Sequence, residues 1–337
     1  MNLLPLLRQS VSPRIRRYSE LKIKDSATPA SVYRLRLDYD GQADGPERLI
    51  LKRIQAVYPD DPGFPDREIS IYREILPSLG IRHARAHYTG IDPETQERLI
   101  LLEDLANYRL PPPDRPWSQA EGECIARTYA RLHVEAVRCL PPPGERDWLF
   151  PPHESRLDRE NLLGMARELE GQIVWGPLPG LDRLLDQALV AAGTFAGVPR
   201  TLLHNDVYPP NVALPPNLKD EEAVLLDWEM ASYGLPEMDL AFMFIQPFRA
   251  HRLLDKRRLL DAYWAAREAL AGETPGRPDR EARQFYADSL WGLWLVPVAY
   301  RMAVEPPPAG SEVAVYWEGM FRVLHEHLLG LSRALGL

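Results

Sequence analysis

Cysteine is almost absent from this 337-residue chain, which carries only Cys124 and Cys139. Two thiols cannot build a disulfide framework, and no four-ligand Cys/His spacing for zinc occurs, so both are expected as free thiols in a reducing compartment. Long apolar runs are also missing. Nothing approaches the ~20 uninterrupted apolar residues of a membrane span, and the run around Trp291 is broken by Pro297 and ends at Arg301. The N-terminal MNLLPLLRQS is followed, not preceded, by Arg14, Arg16 and Arg17, and no small-residue cleavage site comes after it. That is the wrong order for a secretory signal. Positive charge is in deficit as well. A formal net charge of -8 disfavours a general nucleic-acid binder, which needs a basic surface to displace counterions. The expectation is a cytoplasmic protein with neither a membrane nor a nucleic-acid partner. Lysine is scarce beside arginine, so each lysine invites a reason.

What is present is ordinary for a folded protein: 45% hydrophobic and 26% charged residues. The first hundred residues read as β-rich with one helix. Tyr18–Lys24, Val32–Tyr39, Glu47–Val57, His87–Ile91 and Arg98–Leu102 have strand patterns, and Asp66–Leu79 has a helical one. After Leu105 a proline-rich connector leads to Ser118, which can cap the next helix with Glu121 at the capping-box position. Helical patterns follow over Gln119–Val137, Asp158–Glu170, Leu181–Ala192, Asp255–Ala271, Arg280–Trp294 and Val313–Leu335, interrupted by one small β unit at Leu202–Asp227. The expected fold class is α+β and bilobal. Residues 1–104 form a small lobe and residues 105–337 a larger, mostly helical one, with a cleft suited to a ligand.

The strongest chemical signal is LLHNDVYPPNVAL, residues 202–214. His204, Asp206 and Asn211 stand in the pattern H-x-D-x-x-x-x-N. Phosphoryl transfer needs a carboxylate to orient the attacking hydroxyl and accept its proton, and hard oxygens to hold magnesium. Asp206 suits the first task and the Asn211 amide the second. In VLLDWEMASYG an apolar strand then delivers Asp227 across a probable hairpin, where it could share one metal ion with Asn211.

HNDVYPPN followed by LLDWEMASYGLPEMDLA resembles the aminoglycoside phosphotransferase / choline kinase-like superfamily of small-molecule kinases. The resemblance extends through Asp227-Trp228-Glu229, Gly234 and Asp239-Leu240-Ala241. It implies a protein-kinase-like fold, ATP and Mg2+ as cofactors, and a small hydroxyl compound as phosphate acceptor. It implies Asp206 as catalytic base, Asn211 and Asp227 as magnesium ligands, and structural support from His204 and Asp239. Two other readings stay open: a kinase acting on a larger substrate, and a catalytically silent nucleotide-binding module. H-R-D, D-F-G and A-P-E triplets are missing, which argues against the first. A complete set of site residues argues against the second.

The N-terminal segment can be read separately. A kinase needs a cation on the nucleotide phosphates, held by a helix carboxylate. Lys52, inside the apolar strand RLILKRI, supplies the cation, while Arg53 should point to the opposite face. Glu68 shares a helix face with Ile71, Tyr72, Ile75 and Leu79, so it, rather than Glu74, is the expected partner. LILLEDLAN resembles the family's hinge, whose backbone at Glu103, Asp104 and Leu105 would meet the base. The loop DSATPAS has no glycine; Ser31 is its candidate phosphate contact. REISIYREIL and ARLHVEA are also family-like, with His133 expected in the core or behind the site. For the acceptor, Asp288, Trp291 and Trp294 fall roughly along one helix side, and Glu229 adjoins Asp227. Aromatic faces beside a carboxylate would suit an aminated alcohol.

Overall fold

The computed structural model describes residues 3–25, 30–55, 64–112, 115–139, 149, 158–170, 180–245, 254–272 and 275–336. The turn within DSATPAS and most of the loop YPDDPGFP fall outside these. The chain divides into two compact units.

The first unit takes in Met1–Leu110, Cys139–Phe150 and Asn211–Ala231. A division at residue 104 would leave that last segment in the other unit. Helix α1 (Leu4–Ser10) precedes a five-stranded antiparallel sheet of β1 (Ile15–Asp25), β2 (Ala30–Tyr39), β3 (Arg48–Ile54), β4 (Ala86–Ile91) and β5 (Arg98–Glu103), in the order β1-β2-β3-β5-β4. Strand side chains alternate between faces. Leu35, Leu37, Leu49, Leu51, Leu99 and Leu101 share one face, covered by Leu3, Leu7 and Ile15. Each such fully buried leucine contributes about 1.5–3 kcal/mol. The same alternation turns Ile50, Lys52, Ile100 and Leu102 to the other face, in register with one another.

Helix α2 (Phe64–Ser70) then changes pitch, to a π turn over Ile71–Ile75 and a 3-10 turn over Leu76–Ser78. Pro77 has no N–H with which to continue an α-helical ladder. A short hairpin completes this unit: β7 (Val212–Ala213) pairs with β8 (Val224–Leu225).

The second unit takes in Pro111–Arg138, Pro151–Pro210 and Ser232–Leu337. Its helices are α3 (Gln119–Cys139), α4 (Arg159–Leu169), α5 (Leu181–Thr194), α6 (Glu237–Ile245), α7 (Lys256–Ala271), α8 (Arg277–Val304) and α9 (Glu312–Ala334). The capping box forms: Ser118 Oγ accepts from the Glu121 N–H, and Glu121 returns a bond to the Ser118 N–H at 2.7 Å. Helix α8 packs against α4, α5, α6 and α9. Gly292 permits the last of these approaches, because a Cβ there would stand 2.8 Å from Leu328 Cδ2. A helix ending near Trp294 is not what forms; α8 runs through Pro297 to Val304. Packing along its whole length offsets the single N–H that proline removes. A short antiparallel pair, β6 (Thr201–Leu203) with β9 (Ser232–Gly234), sits among these helices. No described helix is long and apolar enough to cross a membrane.

Candidate functional site

In the first unit the chemistry gathers on the sheet face that carries Lys52. The Lys52 ammonium lies 2.5 Å from Glu68 Oε2, 2.5 Å from Asp227 Oδ1 and 3.9 Å from Glu229 Oε2. Helix periodicity singles out Glu68, and the structure agrees: Glu74 is instead on the surface, bonded to Arg73. Burial alone would lower the Lys52 pKa, but Asp227, Glu68 and Glu229 hold it well above its ordinary value, so it stays a cation. Three carboxylates around one ammonium leave a local surplus of negative charge. Burial pushes Glu68 upward, with Lys52 pulling the other way and Asp227 adding to the rise.

The hairpin explains how Asp227 arrives there. Val212 pairs with Leu225, and the Leu226 N–H donates to the Asn211 carbonyl at 2.9 Å. Asn211 and Asp227 therefore flank the same end of the hairpin. Asp227 adopts a left-handed backbone, φ 66° and ψ 68°, a strained setting for a residue other than glycine and one concentrated at functional sites. An amide oxygen and a carboxylate are hard donors that fit magnesium, which takes one or two protein oxygens and fills its octahedron with water and phosphate. The excess negative charge around Lys52 fits a divalent cation too.

Glu229 was expected as an acidic contact for an acceptor. The structure turns it toward Lys52, and its backbone carbonyl accepts from buried Arg67 at 2.5 Å. Ser31 also needs correction. It is not a loop residue but part of β2, paired with Arg53. Alternation puts it on the face opposite Lys52, where Arg53 stacks over Tyr33.

Around residues 103–105 the acidic side chains are tied down. Glu103 accepts from Arg82 at 2.6 Å and from the Arg85 N–H at 3.2 Å. Burial raises its pKa, but these partners outweigh that and hold it below the ordinary value. Asp104 lies 3.0 Å from Arg34 and 3.7 Å from Arg48. The Asp104 carbonyl accepts from the Ala106 N–H and the Leu105 carbonyl from the Tyr108 N–H. Among the described residues nothing accepts from the Leu105 N–H.

In the second unit the HND turn leaves β6 and is held from below by Asp239. Its carboxylate accepts from the His204 N–H at 3.0 Å and the Asn205 N–H at 2.7 Å. His204 Nδ1 accepts from the Asp206 N–H at 3.2 Å. Asn205 is left-handed, φ 61°, and its side-chain amide donates to Ser232 Oγ at 2.6 Å. Its part was not anticipated; the available signal was asparagine, the non-glycine residue that best tolerates this conformation, beside the candidate base. His133 is fully buried and bonded to Asp239 at 3.0 Å.

Asp288, Trp291 and Trp294 have a different setting from an open aromatic pocket. Asp288 is 5% exposed and accepts from Lys256 at 2.5 Å and Gln284 at 2.8 Å. Trp291 is fully buried, donates to the Met238 carbonyl at 2.8 Å and meets Trp294 edge-on. Helical spacing marks a shared face, and here that face is the core of the bundle.

The sequence matches the model of the phosphotransferase enzyme family over residues 42–286. The chain belongs to that family. No curated protein sequence matches it. Among solved structures, a Ralstonia eutropha protein described as a candidate aminoglycoside phosphotransferase aligns with 98% of this chain and 97% of its own, at 17% identity and a TM-score of 0.66. A microcompartment-associated aminopropanol kinase covers 99% of this chain and 98% of its own, at 15% identity and a TM-score of 0.63. Spectinomycin phosphotransferase, solved with ADP and spectinomycin, covers 98% and 97%, at 13% identity and a TM-score of 0.58. At these identities the likeness is one of fold, which is α+β and protein-kinase-like. Family membership makes the chain a phosphotransferase.

Proposed function

We propose that this phosphotransferase moves the γ-phosphate of ATP, with Mg2+, onto a hydroxyl of a small amine-bearing alcohol. The observation that carries the reading is the Lys52 cluster: one buried ammonium bonded to Glu68 from α2 and to Asp227 from the end of the hairpin. Lys52 would bind the nucleotide phosphates, with Glu68 fixing its position. Asn211 and Asp227 would hold magnesium, which when bound offsets charge on the phosphate oxygens. Glu103, Asp104 and Leu105 would present backbone to the base, with the Leu105 N–H as donor. Asp206 would orient the acceptor hydroxyl and take its proton as the new P–O bond forms. His204 and Asp239 shape the turn on which Asp206 stands. The amine in the acceptor is supported by the compounds named for two fold neighbours, aminopropanol and spectinomycin.

The test is a turnover screen with MgATP against amino alcohols, aminoglycosides and sugars, followed by ADP release. At least one amino alcohol should be phosphorylated, and Asp206→Asn should lose transfer by about a thousandfold or more while still binding ATP. Full turnover by Asp206→Asn would remove Asp206 from the role of base.

A further inference from the structure

We propose that Tyr263 of α7, acting through His133 and Asp239, is a positioning residue for the turn that carries Asp206. The inference rests on the reading of Asp206 as base.

The contacts form a hydrogen-bond chain with a single direction. Arg267 Nη1 donates to the Tyr263 hydroxyl at 2.9 Å. A guanidinium has no acceptor lone pair, so the tyrosine oxygen receives that bond and its one proton is left to give. His133 Nδ1 lies 3.0 Å away and takes it. A neutral imidazole carries one N–H, which must then be on Nε2, 3.0 Å from Asp239 Oδ2. The opposite tautomer would set a bare nitrogen against a carboxylate oxygen. Burial keeps His133 neutral by lowering its pKa, against the pull of Asp239. Asp239 closes the chain by accepting from the N–H groups of His204 and Asn205.

Position gives this chain its consequence. Asn205 holds a left-handed backbone directly before Asp206, a conformation that persists only where surrounding bonds enforce it. Two of those bonds are visible, one to Asp239 and one to Ser232. Asp239, His133 and Tyr263 are all fully buried, so no solvent can replace a lost donor. Removing the tyrosine hydroxyl leaves Nδ1 buried without its donor, so the imidazole is held through Nε2 alone and its ring can tilt. The Asp239 carboxylate tilts with it, and so does the peptide before Asp206.

Tyr263→Phe tests this, because the ring keeps its edge contacts with His133 and Trp264 and loses only the hydroxyl. In full-length protein labelled with 15N-histidine, NMR should show His133 as the Nε2–H tautomer, and the variant should shift its Nδ1 resonance. With MgATP and an accepted amino alcohol, kcat should fall about five- to tenfold while KM for ATP changes less than twofold. A merely structural role would lower the melting temperature without that split. His133→Gln, whose amide can occupy the Nε2 position, should retain more turnover than His133→Leu. An Nδ1–H tautomer in the unsubstituted protein overturns the chain, and so does an unchanged kcat in Tyr263→Phe. Asp206→Asn separates the two claims. If it is inactive while Tyr263→Phe is normal, only the positioning claim fails. If it is fully active, the reading of the base fails, and the tautomer measurement still decides the hydrogen-bond chain.

Discussion

Single residues in this phosphotransferase were legible where one chemical demand met one geometric rule. Lys52 stood out because lysine is scarce and because a charge inside an apolar strand needs a partner. Helix spacing then chose Glu68 over Glu74. The same rule misled at Asp288, Trp291 and Trp294, since periodicity reports a shared face without saying whether that face meets a pocket or a core. Lys52→Ala should weaken binding of MgADP by about tenfold or more, measured by calorimetry, because it removes the ammonium and leaves Glu68 buried without its ion-pair partner. At Asn205, the left-handed backbone predicts an order of variants. Asn205→Gly loses the Ser232 bond but fits the conformation, whereas Asn205→Ala loses the bond and adds backbone strain of about 1 kcal/mol. Asn205→Ala should therefore melt below Asn205→Gly in a thermal scan.

Among elements, the strands and the amphipathic helices could be read from their periods, and the hairpin from its turn residues. Helix α6 could not. EMDLAFMFI is apolar on nearly all sides, so no stripe announces a helix, and burial rather than amphipathicity stabilises it. The continuation of α8 past Pro297 was equally hidden, because neighbouring helices determine it. Helix α6 carries another feature that patterning did not reveal. Glu237, in its first turn, is fully buried, and its carboxylate receives no hydrogen bond from another described residue. Burial raises its pKa, while its own N–H and the charges of Arg283 and Arg267 pull it back. Glu237→Gln removes a charge that burial penalises, so the variant should melt about 1–3 °C higher at pH 7.5. On the hairpin, Asp227→Asn should raise the magnesium concentration needed for half-maximal turnover, read from a magnesium titration at fixed ATP.

For the whole molecule, α+β class followed from element order, but the return of Asn211–Ala231 to the first unit did not, because chain order alone cannot show that a late hairpin shares a compact unit with an early sheet. Stability should depend on pH through His133. Its folded pKa lies below the unfolded value of about 6.5. Between those two values the unfolded chain binds a proton that the folded chain refuses. Stability therefore falls as pH drops through that window and levels off beneath it. His133→Gln should lose less stability than the unsubstituted protein between pH 7.5 and pH 5.5, measured as denaturation midpoints. His87 and His327 are shifted the same way by burial and remain in both proteins, so the difference isolates His133.

The pinned acids at Glu103 and Asp104 have a consequence for redesign. Their side chains are already occupied by Arg82, Arg34 and Arg48, so on the proposed reading base recognition at this segment would fall to main-chain groups, which every residue type shares. Exchanging side chains there alters stiffness and leaves the pattern of donors and acceptors intact. On that reading, the choice of base should resist ordinary substitution. The exception is Leu105→Pro, which deletes the N–H proposed as the donor.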